Sequence, residues 1–208
     1  MGNREDLLAG AKRCLYEKGY ARTTARDIAA ASGVVSLAAI GYHYGSKEAL
    51  LNAALYQALE EWGEDLGRIL EVEGAPDATP EDQFEATWAA IIQSFAANRP
   101  LWAIQFELIA HIERMPEVRQ AFTAAGRQAR LGLVELFRNI GSDGDEKQAE
   151  KIGSLYQALL SGVASQWLLD PDSALSGREL IQALRSVTAA LGPVTAEGQT
   201  EVGSGPPL

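Results

Sequence analysis

The sequence predicts an all-α fold of about nine helices, because apolar residues recur at helical spacing through most of the chain. Sustained alternation of apolar and polar residues, and the Asn-Gly turns typical of hairpins, are absent. Glycine and proline residues divide the helical pattern into segments. We expect three short N-terminal helices (the head, residues 1–47) and a larger helical bundle (the body, residues 48–191).

The predicted head helices have recognisable ends. The first covers residues 4–18 and ends at Gly19, which suits a left-handed cap. The second follows Thr24, an N-cap residue with an acid three positions later, and ends at Gly33. The third is expected to begin at Ser36, another capping residue, and to continue through position 42.

Six longer helices are predicted in the body, separated by breaks that contain glycine or proline. Thr79 and Pro80 form a pair typical of a helix N terminus. The tail, residues 192–208, is rich in Gly, Pro, Ser and Thr and is expected to be disordered. The expected helices cover residues 47–71, 80–97, 100–114, 116–139, 145–169 and 176–191.

The composition indicates a globular protein without a membrane span. Hydrophobic residues make up 47% of the chain and charged residues 22%. No apolar run approaches the ~18 residues of a membrane helix, and no signal-peptide pattern follows the polar N terminus. A single cysteine excludes an internal disulfide framework and a cysteine-rich zinc site. We therefore expect a cytoplasmic protein.

The charge is unevenly distributed between the two parts. The net charge is −10, which argues against general coating of nucleic acid. Residues 1–50, however, contain seven Lys and Arg against five Asp and Glu, whereas the remainder has 11 basic and 23 acidic residues. This asymmetry favours a head that approaches a polyanion and a body that does not, although chance alone also produces such differences.

Three short helices with a glycine-containing turn before the third are typical of a helix-turn-helix DNA-binding unit. The third helix of such a unit fits the major groove, and the N terminus of the second is suited to a phosphate. Residues 36–39 are small or apolar and include no Arg, Asn or Gln for bidentate base contacts. We therefore expect modest direct readout, with a contribution from DNA shape.

Residues 1–50 resemble the N-terminal domain of the TetR family of transcriptional repressors. The most specific match is the string Ile-Gly-Tyr-His-Tyr-Gly-Ser-Lys-Glu-Ala-Leu at residues 40–50. The turn is one residue longer than the family's common form, and Gly41 stands where tyrosine or asparagine is frequent. Further matches are Gly19-Tyr20, Thr23-Thr24, Asp27-Ile28-Ala29 and Ser32-Gly33-Val34.

The resemblance implies a ligand-responsive repressor that binds a pseudopalindromic DNA operator as a homodimer and is released by a small apolar ligand. No Ser/His/Asp arrangement, P-loop or GxGxxG motif stands out in the sequence, so we expect neither an enzyme nor a cofactor. An activator remains open, as does a helical small-molecule-binding or enzymatic protein whose head does not bind DNA. The resemblance places phosphate contacts at Thr24, Tyr42, His43 and Lys47, and base-edge contacts at Ser36, Leu37, Ala38, Ala39 and Gly41.

Three residues of the head carry alternative interpretations. Arg26 is a further candidate for DNA contact, but pairing with Asp27 or Glu48 is equally consistent with the sequence. Lys47 alternatively lies solvated in the first turn of its helix. Tyr44 is expected to pack inward.

Aromatic residues are distributed over the whole body, and most are expected in the core. A subset near the breaks at residues 98–100 and 115–116 is predicted to line a ligand pocket between helices. Glu107 and His111 share a helical face, but two ligands are too few for a metal site. A buried histidine or a polar pocket contact is favoured instead. The predicted pocket residues are Trp88, Ile91, Trp102, Phe106, Ile109, His111 and Met115.

The last two helices are predicted to form the dimer interface, with packing inside one chain as the alternative. Helix-turn-helix proteins usually present two heads about one helical turn of DNA apart, ~34–36 Å. Small residues allow two helices to approach closely, and they recur along the penultimate helix at Gly153, Ser154, Ala158, Ser161, Gly162 and Ala164.

Overall fold

A computed structural model describes residues 3–34, 36–73, 77–137 and 145–192, and these residues form nine α-helices and one short 3-10 helix, with no strand. The 3-10 helix, Ile112–Arg114, lies between α6 and α7. The all-α prediction is therefore confirmed. The helices are α1 (Asn3–Lys18), α2 (Ala25–Ser32), α3 (Ala38–Tyr44), α4 (Lys47–Glu73), α5 (Pro80–Ala97), α6 (Arg99–His111), α7 (Pro116–Leu136), α8 (Glu146–Leu169) and α9 (Gly177–Leu191).

Side-chain caps begin several helices where the sequence predicts them. The Thr24 hydroxyl accepts from the backbone N–H of Asp27, and the Asp27 carboxylate accepts from the N–H of Thr24. The same reciprocal box occurs at Thr79 before α5 and at Ser176 before α9. Each box pairs donors that the first turn of a helix otherwise leaves without a partner.

The predicted start of α3 at Ser36 is wrong. The helix begins at Ala38, and Leu37 occupies the N-cap position without a side-chain cap bond. The Ser36 carbonyl accepts from the N–H of Ala39 at 3.1 Å, so the chain makes a tight turn before the helix. Val35, the additional residue of the turn, lies outside the described residues, as do residues 138–144 and the predicted tail beyond Gly192.

In the head, α1 packs closely against α2. Gly10 allows this approach, since a Cβ atom at position 10 would lie 2.8 Å from both the Cβ and the backbone N of Ser32. Leu7, Ile28 and Ile40 are buried and bring α1, α2 and α3 into one core with the first turns of α4. The helix α4 then continues into the body, so it belongs to both parts of the molecule.

The body encloses an aromatic core built from α5, α7 and α8. Phe137 stacks on Tyr156 with ring centroids 4.2 Å apart, and Trp88 packs against Phe137 at 5.3 Å. The helices α7 and α8 meet at Gly153, where a Cβ atom would overlap the carbonyl oxygen of Arg130. This close approach sets the position of α8.

The Gly153 contact corrects one expectation about α8. Gly153 and Ala164 are buried against other helices of the same chain, so they do not belong to an exposed row. Ser154, Ala158 and Gly162 are exposed and form a narrower row with a spacing of four residues. The small residues of α8 therefore divide between two helix faces.

None of the described helices combines the length and the apolar character that crossing a membrane requires.

The substitution Gly10→Ala is expected to destabilise the head, because the new methyl group would meet Ser32 at a distance that forces α1 and α2 apart. We expect a loss of about 1–3 kcal/mol of unfolding free energy, as for other overpacked sites. Denaturant unfolding followed by circular dichroism measures this loss.

Gly67→Ala is the matched control, since no atom beyond the adjacent backbone of α4 lies within 4 Å of a Cβ at this position. This variant should be as stable as the parent chain or slightly more stable, because alanine favours a helix over glycine. Equal stability of the two variants would contradict the close-packing account.

Candidate nucleic-acid interface

The helix α3 presents one face to solvent and uses the other to attach to the head. Ile40 is 4% exposed and anchors the helix to the core, whereas Tyr42 is 85% exposed. Gly41 beside it is also exposed, so the backbone of α3 is open to close approach at this point. The helix therefore carries an aromatic side chain on an accessible surface.

The structure places the predicted DNA-contacting residues on the outside of the head. Most are exposed, and Ala39, His43 and Lys47 are partly buried. The ring of His43 meets that of Tyr42 edge to face, with centroids 4.9 Å apart. Their contacts with DNA stay predictions. The exposed members are Thr24, Arg26, Ser36, Leu37, Ala38, Gly41 and Tyr42.

A shallow groove connects two of these candidates. It has a volume of about 400 Å³ and lies between α2 and the start of α3. Both Arg26 and Leu37 line it, together with Ala29, Ala30, Gly33 and Val34. A guanidinium group and an apolar side chain thus share one surface depression at the helix-turn-helix.

The alternative pairing of Arg26 is not present. Asp27 binds the ammonium of Lys18 at 2.6 Å, and Glu48 lies 3.3 Å from the Nζ of Lys47. Arg26 forms no ion pair within the described ranges and is exposed. Its guanidinium is therefore available on the surface of α2.

Lys47 and Tyr44 are held by specific contacts. The Lys47 Nζ donates to the carbonyl of Thr23 at 3.0 Å, which brings the ammonium beside the N terminus of α2. Lys47 is therefore more than a solvated first-turn residue. Tyr44 packs against the core, as expected, and its hydroxyl donates to the carbonyl of Arg4 at 2.9 Å.

The N terminus of α2 is fixed by a charged hydrogen-bond network. The Lys18 ammonium and the hydroxyl and N–H groups of Thr24 hold the pKa of Asp27 well below its ordinary value. The same interaction raises the pKa of Lys18. Because Asp27 remains ionised, α1 and α2 keep their connection at neutral pH.

Glu107 is a head-to-body contact that the sequence did not reveal. Its Oε2 accepts from the backbone N–H of Tyr20 at 3.1 Å, and its Oε1 accepts from the N–H of Ala21 at 2.9 Å. Gly19 beside them has a φ of +80°, and a Cβ there would lie 2.9 Å from Oε2. Glycine therefore meets two requirements at this position: a left-handed backbone and room for the carboxylate.

The α1–α2 turn, residues 19–24, receives contacts from two helices of the body. Besides Glu107 on α6, Asn52 on α4 accepts from the hydroxyl of Tyr20 at 2.9 Å. Within the turn, the Thr23 hydroxyl donates to the carbonyl of Gly19 at 2.7 Å. Since this turn leads directly into α2, its position determines where the N terminus of α2 lies.

The predicted pocket residues fall into two groups. Trp88, Ile91 and Trp102 are buried, and Phe106 and Met115 are partly buried. Ile109 is 59% exposed, and His111 is exposed, so the expectation of a buried histidine is wrong. The described residues contain no group of three or more His, Cys, Asp or Glu side chains suited to a metal ion.

Two family models match the chain. One, described as bacterial regulatory proteins of the tetR family, matches residues 7–54. The other, described as a tetracyclin repressor-like C-terminal domain, matches residues 79–192, which is more than half of the chain. This chain belongs to the TetR family. It is accordingly a TetR-type transcriptional regulator, as predicted from residues 1–50.

Individual relatives agree with this assignment. The HTH-type transcriptional regulator TtgR of Pseudomonas putida is 29% identical over 179 residues, which cover 82% of each chain. The probable HTH-type transcriptional regulator ArpR, also of Pseudomonas putida, is 28% identical over the same share. Both are named as transcriptional regulators, which agrees with the expectation of a regulator and not an enzyme.

Solved structures share the fold at lower identity. The multidrug binding protein EbrR complexed with imidazole has a TM-score of 0.61 and 23% identity, over 93% of this chain and 91% of that chain. A TetR transcription regulator from Haloarcula marismortui ATCC 43049 has a TM-score of 0.59 and 21% identity, over 88% of this chain and 93% of that chain. The arrangement of head and body is thus that of known TetR-family structures.

The substitution Glu107→Gln is expected to release the α1–α2 turn. An NH2 group replaces one of the two accepting oxygens, so one hydrogen bond is lost, and the remaining oxygen accepts the other bond without a negative charge. Hydrogen bonds to charged groups are among the stronger ones in proteins. We expect the amides of Tyr20 and Ala21 to exchange with solvent about tenfold faster or more. Hydrogen exchange resolved by NMR measures these two rates.

Glu113→Gln is the control, since Glu113 is an exposed acid shortly after α6. The exchange rates of Tyr20 and Ala21 should not change in this variant. If Glu107→Gln leaves the two rates unchanged as well, the contact does not restrain the turn.

Proposed function

We propose that this TetR-family regulator is a ligand-responsive repressor that binds a pseudopalindromic operator as a homodimer and leaves it when a small molecule binds. Residues 1–47 form the DNA-binding head, and residues 48–191 form the ligand-binding and dimerisation body. The protein acts on DNA in the cytoplasm. The predicted DNA contacts of the head and the predicted pocket residues of the body are part of this proposal.

The exposed face of α3 carries the proposal. Tyr42 is 85% exposed although it lies on a short helix whose other face is buried through Ile40. A tyrosine hydroxyl is a phosphate donor, and the neighbouring Gly41 leaves the backbone accessible. Lys47 adds a positive charge beside the N terminus of α2. These groups suit a polyanion on this side of the head.

The exposed surface of α8 and α9 supports a dimer. Ser154, Ala158 and Gly162 leave a shallow path along α8. Leu155 beside it is 49% exposed, and Leu191 on α9 is 78% exposed. Exposed apolar groups next to small residues favour close packing against a second copy of the chain.

The contacts of α6 support a ligand response. This helix carries Trp102, which is buried in the aromatic interior, and Glu107, which binds the α1–α2 turn. A ligand shifts a conformational equilibrium only by its different affinities for the two states. A molecule that binds one position of α6 better than another would therefore change the position of the head.

The operator test begins with duplexes selected by the purified full-length chain from a random-sequence library. Affinity should fall about tenfold or more between about 50 mM and 200 mM salt, because phosphate contacts release counterions. Salt-independent binding, or no selected duplex, would support the alternative of a helical binding protein whose head does not bind DNA. An electrophoretic mobility shift measures the affinity.

Tyr42→Phe is expected to weaken DNA binding about three- to tenfold on the operator and on unrelated duplexes alike, because a phosphate contact carries no sequence information. Leu169→Ala is the control, since Leu169 is equally exposed but lies at the end of α8. Fluorescence anisotropy compares both variants with the parent chain. Undiminished binding by Tyr42→Phe would remove this hydroxyl from the interface.

Ala158→Arg is expected to convert the dimer to a monomer, because a long cationic side chain would separate two α8 helices in close contact. Ala96→Arg provides the same change on an exposed position of α5. Sedimentation equilibrium should show a dimer for the parent and for Ala96→Arg. A dimeric Ala158→Arg variant would place the interface elsewhere.

A further inference from the structure

Four hydrogen-bond donors in the body are buried without an acceptor in the part of the chain that the structure describes. They are the indole Nε1 atoms of Trp88 and Trp102, the hydroxyl of Tyr56 and the amide Nε2 of Gln105. Burial removes water from such a group, and an unmade hydrogen bond then costs free energy. Folded proteins consequently pair nearly all of their buried polar groups, so four unpaired donors require an explanation.

The two tryptophans are the strongest of these cases. Trp88 is fully buried, and Trp102 is 4% exposed. A third buried tryptophan, Trp62, contrasts with them, because its Nε1 donates to the hydroxyl of Ser94 at 2.9 Å. Among the described residues, the interior therefore supplies an acceptor to one indole and leaves two others without one.

The unpaired indoles lie at two ends of an apolar stretch of α5. Trp88 and Phe95 are seven residues apart on this helix, which corresponds to about 10 Å along its axis and to the same face. The ring of Trp102 meets that of Phe95 edge to face at 5.1 Å. Ile91, fully buried, lies between the two ends.

The described interior contains no buried ionised group to match a charged molecule. Its buried polar residues are Thr23, Asn52 and Thr87, with no Asp, Glu, Lys or Arg among them. An ion transferred into such surroundings loses its hydration without a countercharge. The donors therefore favour a neutral molecule over a cation or an anion.

We propose that the effector of this regulator is a neutral aromatic molecule with oxygen acceptors, bound by the N–H groups of Trp88 and Trp102. The inference rests on the proposed ligand response and specifies its chemistry. The apolar stretch of α5 contacts the aromatic rings of the effector, and the two indole N–H groups donate to its carbonyl or ether oxygens. Because Gln105 and Trp102 belong to α6, binding engages the helix that also carries Glu107.

Benzophenone and diphenylmethane test the proposal, since they differ only in a carbonyl group in place of a methylene. Isothermal titration calorimetry with the full-length chain should give a dissociation constant about tenfold lower for benzophenone, as expected for one or two hydrogen bonds to otherwise unpaired donors. Proflavin, an aromatic cation, should bind more weakly than benzophenone. Equal affinities for the first two compounds, no binding of benzophenone, or tighter binding of proflavin would overturn the proposal.

Variants locate the donors. Trp88→Phe and Trp102→Phe keep an aromatic ring but remove the N–H, so each should reduce the preference for benzophenone over diphenylmethane. Trp62→Phe is the matched control, because its indole N–H already has an acceptor, and it should retain the preference. A preference that all three variants keep would overturn the assignment. The comparison of the two compounds on the parent chain does not depend on the folding of any variant.

Operator affinity without any added compound separates this inference from the proposed function. A chain that binds its selected operator but does not distinguish the two compounds overturns the effector chemistry alone. A chain that prefers benzophenone but binds no operator overturns the repressor proposal and leaves the effector chemistry supported.

Discussion

The carboxylate of Glu107 connects the body to the α1–α2 turn of the head, in addition to the continuous helix α4. It accepts two backbone N–H groups from the α1–α2 turn, at 3.1 Å and 2.9 Å. Both donors belong to the residues directly after Gly19, whose left-handed conformation opens the space that the carboxylate occupies. Since α2 follows this turn and α3 packs with it in one core, we infer that a residue of the body helps to orient the surface proposed to face DNA.

This constraint gives α6 a central role beside α4. The helix α4 is continuous with the head and holds Tyr20 through Asn52, and α6 reaches the same turn through the Glu107 carboxylate. Four buried donors have no acceptor within the described ranges, and two of them, on Trp102 and Gln105, belong to α6. The helix α6 therefore contacts both the buried aromatic interior and the α1–α2 turn, which suits transmission between two sites.

The sequence predicted what local rules determine. The caps at Thr24 and Thr79 depend on an acid three residues later, and the ends of α1 and α2 depend on glycine in a left-handed conformation. The helix-turn-helix and the family resemblance were likewise predicted from local motifs, which lie within residues 19–50. Which residues of the head contact DNA was predicted from the resemblance and stays a prediction.

Features that depend on distant neighbours were not predictable. Gly153 belongs to a regular row of small residues, and only the position of α7 shows that it packs inside the chain. The Glu107 carboxylate lies 86 positions from Ala21 in sequence, and no spacing rule connects them. His111 and Ile109 follow the helical period of α6, but the period does not state which face the neighbouring helices cover.

The operator affinity of Glu107→Gln tests the central claim most directly, because this residue lies outside the surface proposed to contact DNA. Fluorescence anisotropy on a selected operator, with Glu113→Gln as the reference, compares heads that carry identical DNA-facing side chains. If the body positions the head through this carboxylate, the variant binds about tenfold more weakly while the reference variant binds as the parent does. Equal affinity of all three proteins would show that the head is positioned without Glu107 and would contradict the account.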